Sequence, residues 1–131
     1  MRFLTMVKAA DNSGPAPKGL MEAIEKLRDE AAEAGVLVEP GGLVPTAMGT
    51  RIRVSGGKVT VSDGPFTEAK EVVGGYAIVH AQSKEEAVKW TSRLMELHQE
   101  YWKGWEGETE VRQIFDAAEL SRGRWTLGAR T

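Results

Sequence analysis

A chain of 131 residues is the length of one ordinary domain, long enough to bury a core without covalent staples. It holds no cysteine, which excludes disulfides, thiolate nucleophiles and Cys-ligated zinc or iron–sulfur centres. A net charge of -2, with acidic and basic residues interspersed, leaves no basic footprint for nucleic acid, and no apolar run approaches the ~20 residues of a membrane span.

Residues 2–7 predict a strand apolar on both faces, with Phe3 and Val7 on one side and Leu4 and Met6 on the other. The segment Met1 to Lys8 is too short and interrupted for a signal peptide, so a cytoplasmic location is expected. Asp11-Asn12-Ser13-Gly14-Pro15-Ala16-Pro17 is a loop by its breakers. From Lys18 the spacing turns helical. Leu20, Ile24, Leu27, Ala31 and Ala34 share one face, and Glu22, Lys26, Asp29, Glu30 and Glu33 lie largely on the other. Gly35 supplies the stop.

Val36-Leu37-Val38-Glu39 reads either as a short strand or as an extended entry to a loop, and Pro40-Gly41-Gly42-Leu43-Val44-Pro45 reads as irregular. Arg51 to Val54 and Lys58 to Ser62 predict a hairpin around Ser55-Gly56-Gly57, with Ile52 and Val54 on one face of its first strand and Val59 and Val61 on one face of its second. A strand from Gly75 to Ala81 sets Tyr76, Ile78 and His80 opposite Ala77 and Val79. Ser83-Lys84-Glu85-Glu86 matches a capping box and opens a helix that ends at about His98 or Trp102. Glu110 to Phe115 predicts the last strand. The domain is expected over 1–118, and 119–131 is expected to be a tail, mobile unless Trp125 and Leu127 dock.

The order strand, helix, strands, strand, helix, strand predicts an α+β fold, a ferredoxin-like antiparallel sheet with two helices on one face. Two helices cover one sheet face only, yet several strands are apolar on both, as Ile114 and Phe115 again illustrate. A second copy of the same sheet is the simplest cover, so a homodimer is expected. The competing arrangement folds the loop from Glu39 to Thr50 over that face.

Asp63-Gly64-Pro65-Phe66, continued by Thr67-Glu68-Ala69-Lys70-Glu71 and Gly74-Gly75-Tyr76, resembles the signature of the DGPF branch of YCII-related proteins. Gly35-Val36-Leu37, Arg51-Ile52-Arg53 and Glu110-Val111-Arg112 agree with its flanks, and the resemblance runs from Arg2 to about Phe115. It implies a subunit of the dimeric α/β-barrel group, alongside muconolactone isomerases and small monooxygenases. It implies no particular activity, because folds host many functions. The resemblance also implies a setting associated with extracytoplasmic-function sigma factors. Some YCII-related proteins are thought to use a His–Asp pair with the His on the first helix. Here no histidine falls between Lys18 and Ala34, so Asp63, the position matching the Asp, lacks that partner.

Asp63 ends a strand and could serve as a general base, or simply hydrogen-bond its own turn. His98 falls on the helix face that carries Ala87 and Tyr101, near Trp102 and Trp105. An imidazole there could shuttle a proton or touch a ligand, or be a hydrogen-bonded histidine at the core's edge. His80 alternates with Ile78 and Tyr76 and reads as packing. Arg51 and Arg53 share a strand face and, with Arg112, could grip a carboxylate or phosphate; exposed arginines are the plainer alternative. Tyr76, Trp90, Trp102 and Trp105 are candidate pocket walls or ordinary packing.

No H-E-x-x-H spacing, phosphate-cradling glycine loop or G-x-S-x-G elbow occurs, so neither metal nor other cofactor is expected. Elimination leaves a small-molecule-binding protein with acid–base chemistry of isomerase or lyase type. Asp63 and His98 are the expected catalytic groups, and Arg51, Arg53, Tyr76, Trp90 and Trp102 the expected ligand contacts. The alternative is a non-catalytic ligand-binding or regulatory interaction module.

Overall fold

The elements run β1 (Arg2–Ala9), α1 (Lys18–Glu33), β2 (Leu37–Gly42), a 3-10 turn (Thr46–Met48), β3 (Thr50–Ser55), β4 (Lys58–Asp63), β5 (Val72–His80), α2 (Lys84–Tyr101) and β6 (Gly107–Gln113). This computed structural model describes residues 1–118, so the expected tail, with Trp125 and Leu127, lies outside the described residues. Four strands form an antiparallel sheet in the order β2-β5-β1-β6, and β3 and β4 form a separate hairpin. The expected ferredoxin-like order is therefore present, with β5 inserted between the strands that flank α1.

Period-two alternation gives this sheet two different faces. Phe3 and Thr5 of β1 are buried, and they pair with Val79 and Ala77 of β5. Phe3 and Val79 join Ala31 of α1, Ala87 of α2, Val36 and Ala81 in one core cluster, so both helices cover this face. Leu4 and Met6 pair with Ile78 and Tyr76 on the opposite face, which no helix covers.

Each helix is bounded by identifiable chemistry. At the end of α1, Gly35 adopts φ 74, its N–H donates to Ala32 O at 3.0 Å, and Val36 N–H donates to Ala31 O at 2.9 Å. That is a Schellman motif, and Val36 and Ala31 supply its apolar contact inside the core. At the start of α2, Ser83 Oγ accepts the Glu86 N–H at 3.1 Å, the first half of the expected capping box.

Two sequence readings need correction. Pro40-Gly41-Gly42, expected to be irregular, is the second half of β2. Proline is tolerated there because β2 is an edge strand, where an N–H facing solvent can be dispensed with. Gly41 lets Tyr76 of the paired strand lie over the backbone, since a Cβ there would stand 2.3 Å from its Cε1 and push the ring aside. Strands β5 and β6 also begin earlier than expected, at Val72 and Gly107, because apolar alternation is weak in their first residues.

The hairpin closes through Gly56 (φ 57) and Gly57 (φ 77), the two positive values of a type I′ turn. Its far end meets the Asp-Gly-Pro-Phe block. Gly64 N–H donates to Gly49 O at 2.9 Å, and a Cβ on Gly64 would lie 1.7 Å from the carbonyl oxygen of Thr46. Backbone cannot move aside as a side-chain tip can. Gly64→Ala should therefore destabilise the fold by about 3 kcal/mol, whereas Gly74→Ala, with open space around its Cβ, should change stability by no more than about 0.5 kcal/mol. Urea denaturation of both variants checks this contrast; equal midpoints would contradict it.

Candidate functional site

A cavity of about 440 Å³ lies between the helix-covered face of the sheet and the two helices. Strand β1 contributes Thr5, Val7 and Ala9; α1 contributes Ile24, Leu27 and Arg28; α2 contributes Trp90, Leu94 and His98, with Trp102 and Trp105 just beyond it. The α2 contribution follows from helical spacing, because residues three or four apart stack on one face. The volume is that of an ordinary small-molecule site.

His98 is the central titratable group of this wall and is 8% exposed. Its Nδ1 lies 2.9 Å from the Leu94 carbonyl, which can only accept. That contact assigns the proton to Nδ1 and makes Nε2 the lone-pair nitrogen of the neutral ring. The ring also leans on Trp105, with centroids 4.6 Å apart, and Trp105 stacks on Trp102 at 5.8 Å. Trp90 lies under the guanidinium of Arg93, which pairs with Glu30 across the helices.

Of the other expected site residues, Tyr76 alone reaches the cavity. Asp63 is on the exposed end of β4, where it accepts from Thr50 Oγ1 at 3.0 Å, and it does not line the cavity. Arg51 pairs with Glu68 and lies 4.0 Å over the ring of Phe66, and the guanidinium holds the Glu68 carboxyl below its ordinary range. Arg53 lies exposed on the same face of β3. Arg112 is on β6, 3.7 Å from Glu110. The arginines thus do not gather over the cavity, and Asp63 and His98 do not converge. Tyr76 forms part of the cavity wall, but its hydroxyl donates to Glu39 at 3.0 Å on the helix-free face. Phe66 is half-buried beneath Arg51.

The family model of the YCII-related domain matches residues 1–117. The chain belongs to the YCII-related family. An uncharacterized protein of Rhizobium meliloti (strain 1021) is 33% identical over 75 residues, which is 57% of this chain and 60% of that protein.

Within this YCII-related chain, two cavity residues escaped the sequence reading. Asp11, just after β1, accepts from both the N–H (3.2 Å) and the hydroxyl of Thr46, and Thr46 Oγ1 in turn accepts the Phe66 N–H at 3.0 Å. This relay ties the Asp-Gly-Pro-Phe block to the cavity rim. Its only sequence signal is a carboxylate at a strand end, the same signal that drew attention to Asp63. Arg28 follows Ile24 by one helical turn, so the legible clue was a cation interrupting an apolar stripe.

The Tyr76–Glu39 contact gives a direct electrostatic test. The hydrogen bond to Glu39, and then its charge, raises the Tyr76 phenol above its ordinary value. A raised pKa means that this contact favours the folded state below the unfolded phenol's pKa and is lost as pH rises through the folded one. Glu39→Gln should bring the Tyr76 titration, followed by ultraviolet difference absorbance, back toward the ordinary range.

Proposed function

We propose that this YCII-related protein binds a small organic molecule in the cavity under its helices and performs acid–base chemistry of isomerase or lyase type on it. The observation that carries this reading is His98. It lies on the wall of an apolar cavity with its Nδ1–H anchored by Leu94 O and its Nε2 without a protein partner among the described residues. An anchored imidazole keeps one orientation and presents one nitrogen, which is what proton transfer at a fixed substrate atom needs. The tryptophans beside it shield that atom from water. Asp63 has an architectural role in this proposal, since its carboxylate engages Thr50 outside the cavity.

A thermal-shift screen of enolisable carbonyl compounds and small organic acids, followed by turnover assays, tests the proposal. His98→Gln, whose amide reaches the place of Nε2 but cannot take up a proton there, should keep the parent's circular dichroism and lose about a hundredfold or more in turnover. Asp63→Asn should turn over like the parent. A substrate processed equally well by His98→Gln would overturn the acid–base role.

The same reading makes the molecule a homodimer. Leu4, Met6, Tyr76 and Ile78 share the sheet face that carries no helix, and an apolar sheet face of that extent is normally covered. Light scattering at micromolar concentration should give roughly twice the chain mass of 14.3 kDa. Ile78→Lys should lower the dimer fraction sharply by burying an unpaired charge. A folded monomer of the parent chain at that concentration would sink this assignment.

A regulatory or purely ligand-binding role, in a setting associated with sigma factors, is the second reading. It is favoured by the hairpin: Ile52, Val54, Val59 and Val61 pair across β3 and β4 on one face and are 65–73% exposed. Ligand binding without turnover in any assay, together with capture of a partner through that face, would decide for it.

A further inference from the structure

The polar side chains of the cavity wall divide sharply into engaged and unengaged groups. Thr5 Oγ1 donates to Ala77 O at 3.2 Å, Thr91 Oγ1 to Ala87 O at 2.7 Å and Ser13 Oγ to Ala10 O at 2.7 Å. Both Asp11 oxygens accept from Thr46, and the Tyr76 hydroxyl serves Glu39. The one carboxylate on this wall, Asp11, is therefore turned to Thr46. The groups with no hydrogen-bond or ion-pair partner among the described residues are the Arg28 guanidinium, the indole N–H groups of Trp90, Trp102 and Trp105, and His98 Nε2.

That remainder is rich in donors and carries one fixed positive charge. No carboxylate among the described residues pairs with Arg28, although Glu25 stands three residues before it on α1. Arg93, by contrast, is held by Glu30. A guanidinium in a fixed fork matches a carboxylate with two parallel hydrogen bonds, and the indoles offer flat apolar faces to a ring. Arg28 is exposed at the cavity's edge, so water solvates its charge in the empty site, and a carboxylate is the ligand group that best replaces that water.

We propose that the cavity takes an organic acid with a flat apolar body, the carboxylate held by Arg28 and the body lying against Trp90 and Trp102. This rests on the reading of the cavity as the ligand site, and deepens it by naming the ligand class. In the catalytic reading, the carboxylate anchor fixes which carbon of the acid is presented to His98 Nε2.

Isothermal titration of the full chain with naphthaleneacetate and phenylacetate, and with the corresponding neutral alcohols, separates the two layers of the argument. The acids should bind at least tenfold more tightly than their alcohols. Arg28→Gln should abolish that preference while leaving alcohol binding unchanged, and Arg28→Lys should keep part of it. Lys26→Gln removes the same charge from the same helix outside the cavity wall and should leave the preference intact. Acids and alcohols binding the parent equally would overturn the acid assignment while the cavity stands as a ligand site. If none of the four binds at millimolar concentration, the cavity reading itself fails and the acid assignment fails with it.

Discussion

Strand β1 is paired along its length on both sides, with β5 from Arg2 to Ala9 and with β6 from Phe3 to Ala9. Its register therefore fixes which residues of three strands face the helices. With Phe3 and Thr5 inward, Val79, Ala77 and Val111 must also point inward, and Leu4, Met6, Ile78 and Tyr76 must point outward. A one-residue slip of β1 against both neighbours would turn Phe3 and Thr5 to the bare face and bring Leu4 and Met6 to the core. The core, the cavity wall and the bare sheet face are consequences of this single alternation.

The cavity follows from what the helices bring to that inward face. Where Ala31 and Ala87 meet the sheet, small side chains let α1 and α2 pack closely on Phe3 and Val79. Further along, α2 carries Trp90, Leu94 and His98 at helical intervals, with Trp102 just past its end, and α1 answers with Ile24, Leu27 and Arg28. Trp105 stacks on Trp102 and leans on His98, and these rings do not fill the space between the layers. His98 holds its place by bonding its own helix, so its orientation does not depend on a ligand. The Asp-Gly-Pro-Phe block acts at one remove. Its Phe66 N–H engages Thr46, and Thr46 engages Asp11 at the rim.

Much of this was legible in the residues because it depends on local chemistry. The helical stripe of α1, the Gly35 stop, the Ser83 cap and the Gly56-Gly57 turn each rest on a few neighbouring side chains, and all are present. What could not be read depends on partners distant in sequence. Pro40 reads as a breaker unless one knows that β2 lies at the sheet edge. Asp63 and His98 are similar in chemical promise, and only the separation of the hairpin from the main sheet puts them in different places. Asp11 and Arg28 were passed over because a loop carboxylate and a helical arginine are commonplace until their surroundings are known.

The proline in β2 has one further effect. A sheet with free edges invites other strands to add, which is the first step of fibre growth. One edge of this sheet carries Pro40, which has no N–H to offer a newcomer, beside a break in register between Leu37 and Glu39. The other edge, β6, carries Glu108, Glu110 and Arg112, whose charges resist close stacking of like strands. The chain thus leaves a sheet face bare while guarding both margins, a division that favours a finite assembly over an endless one.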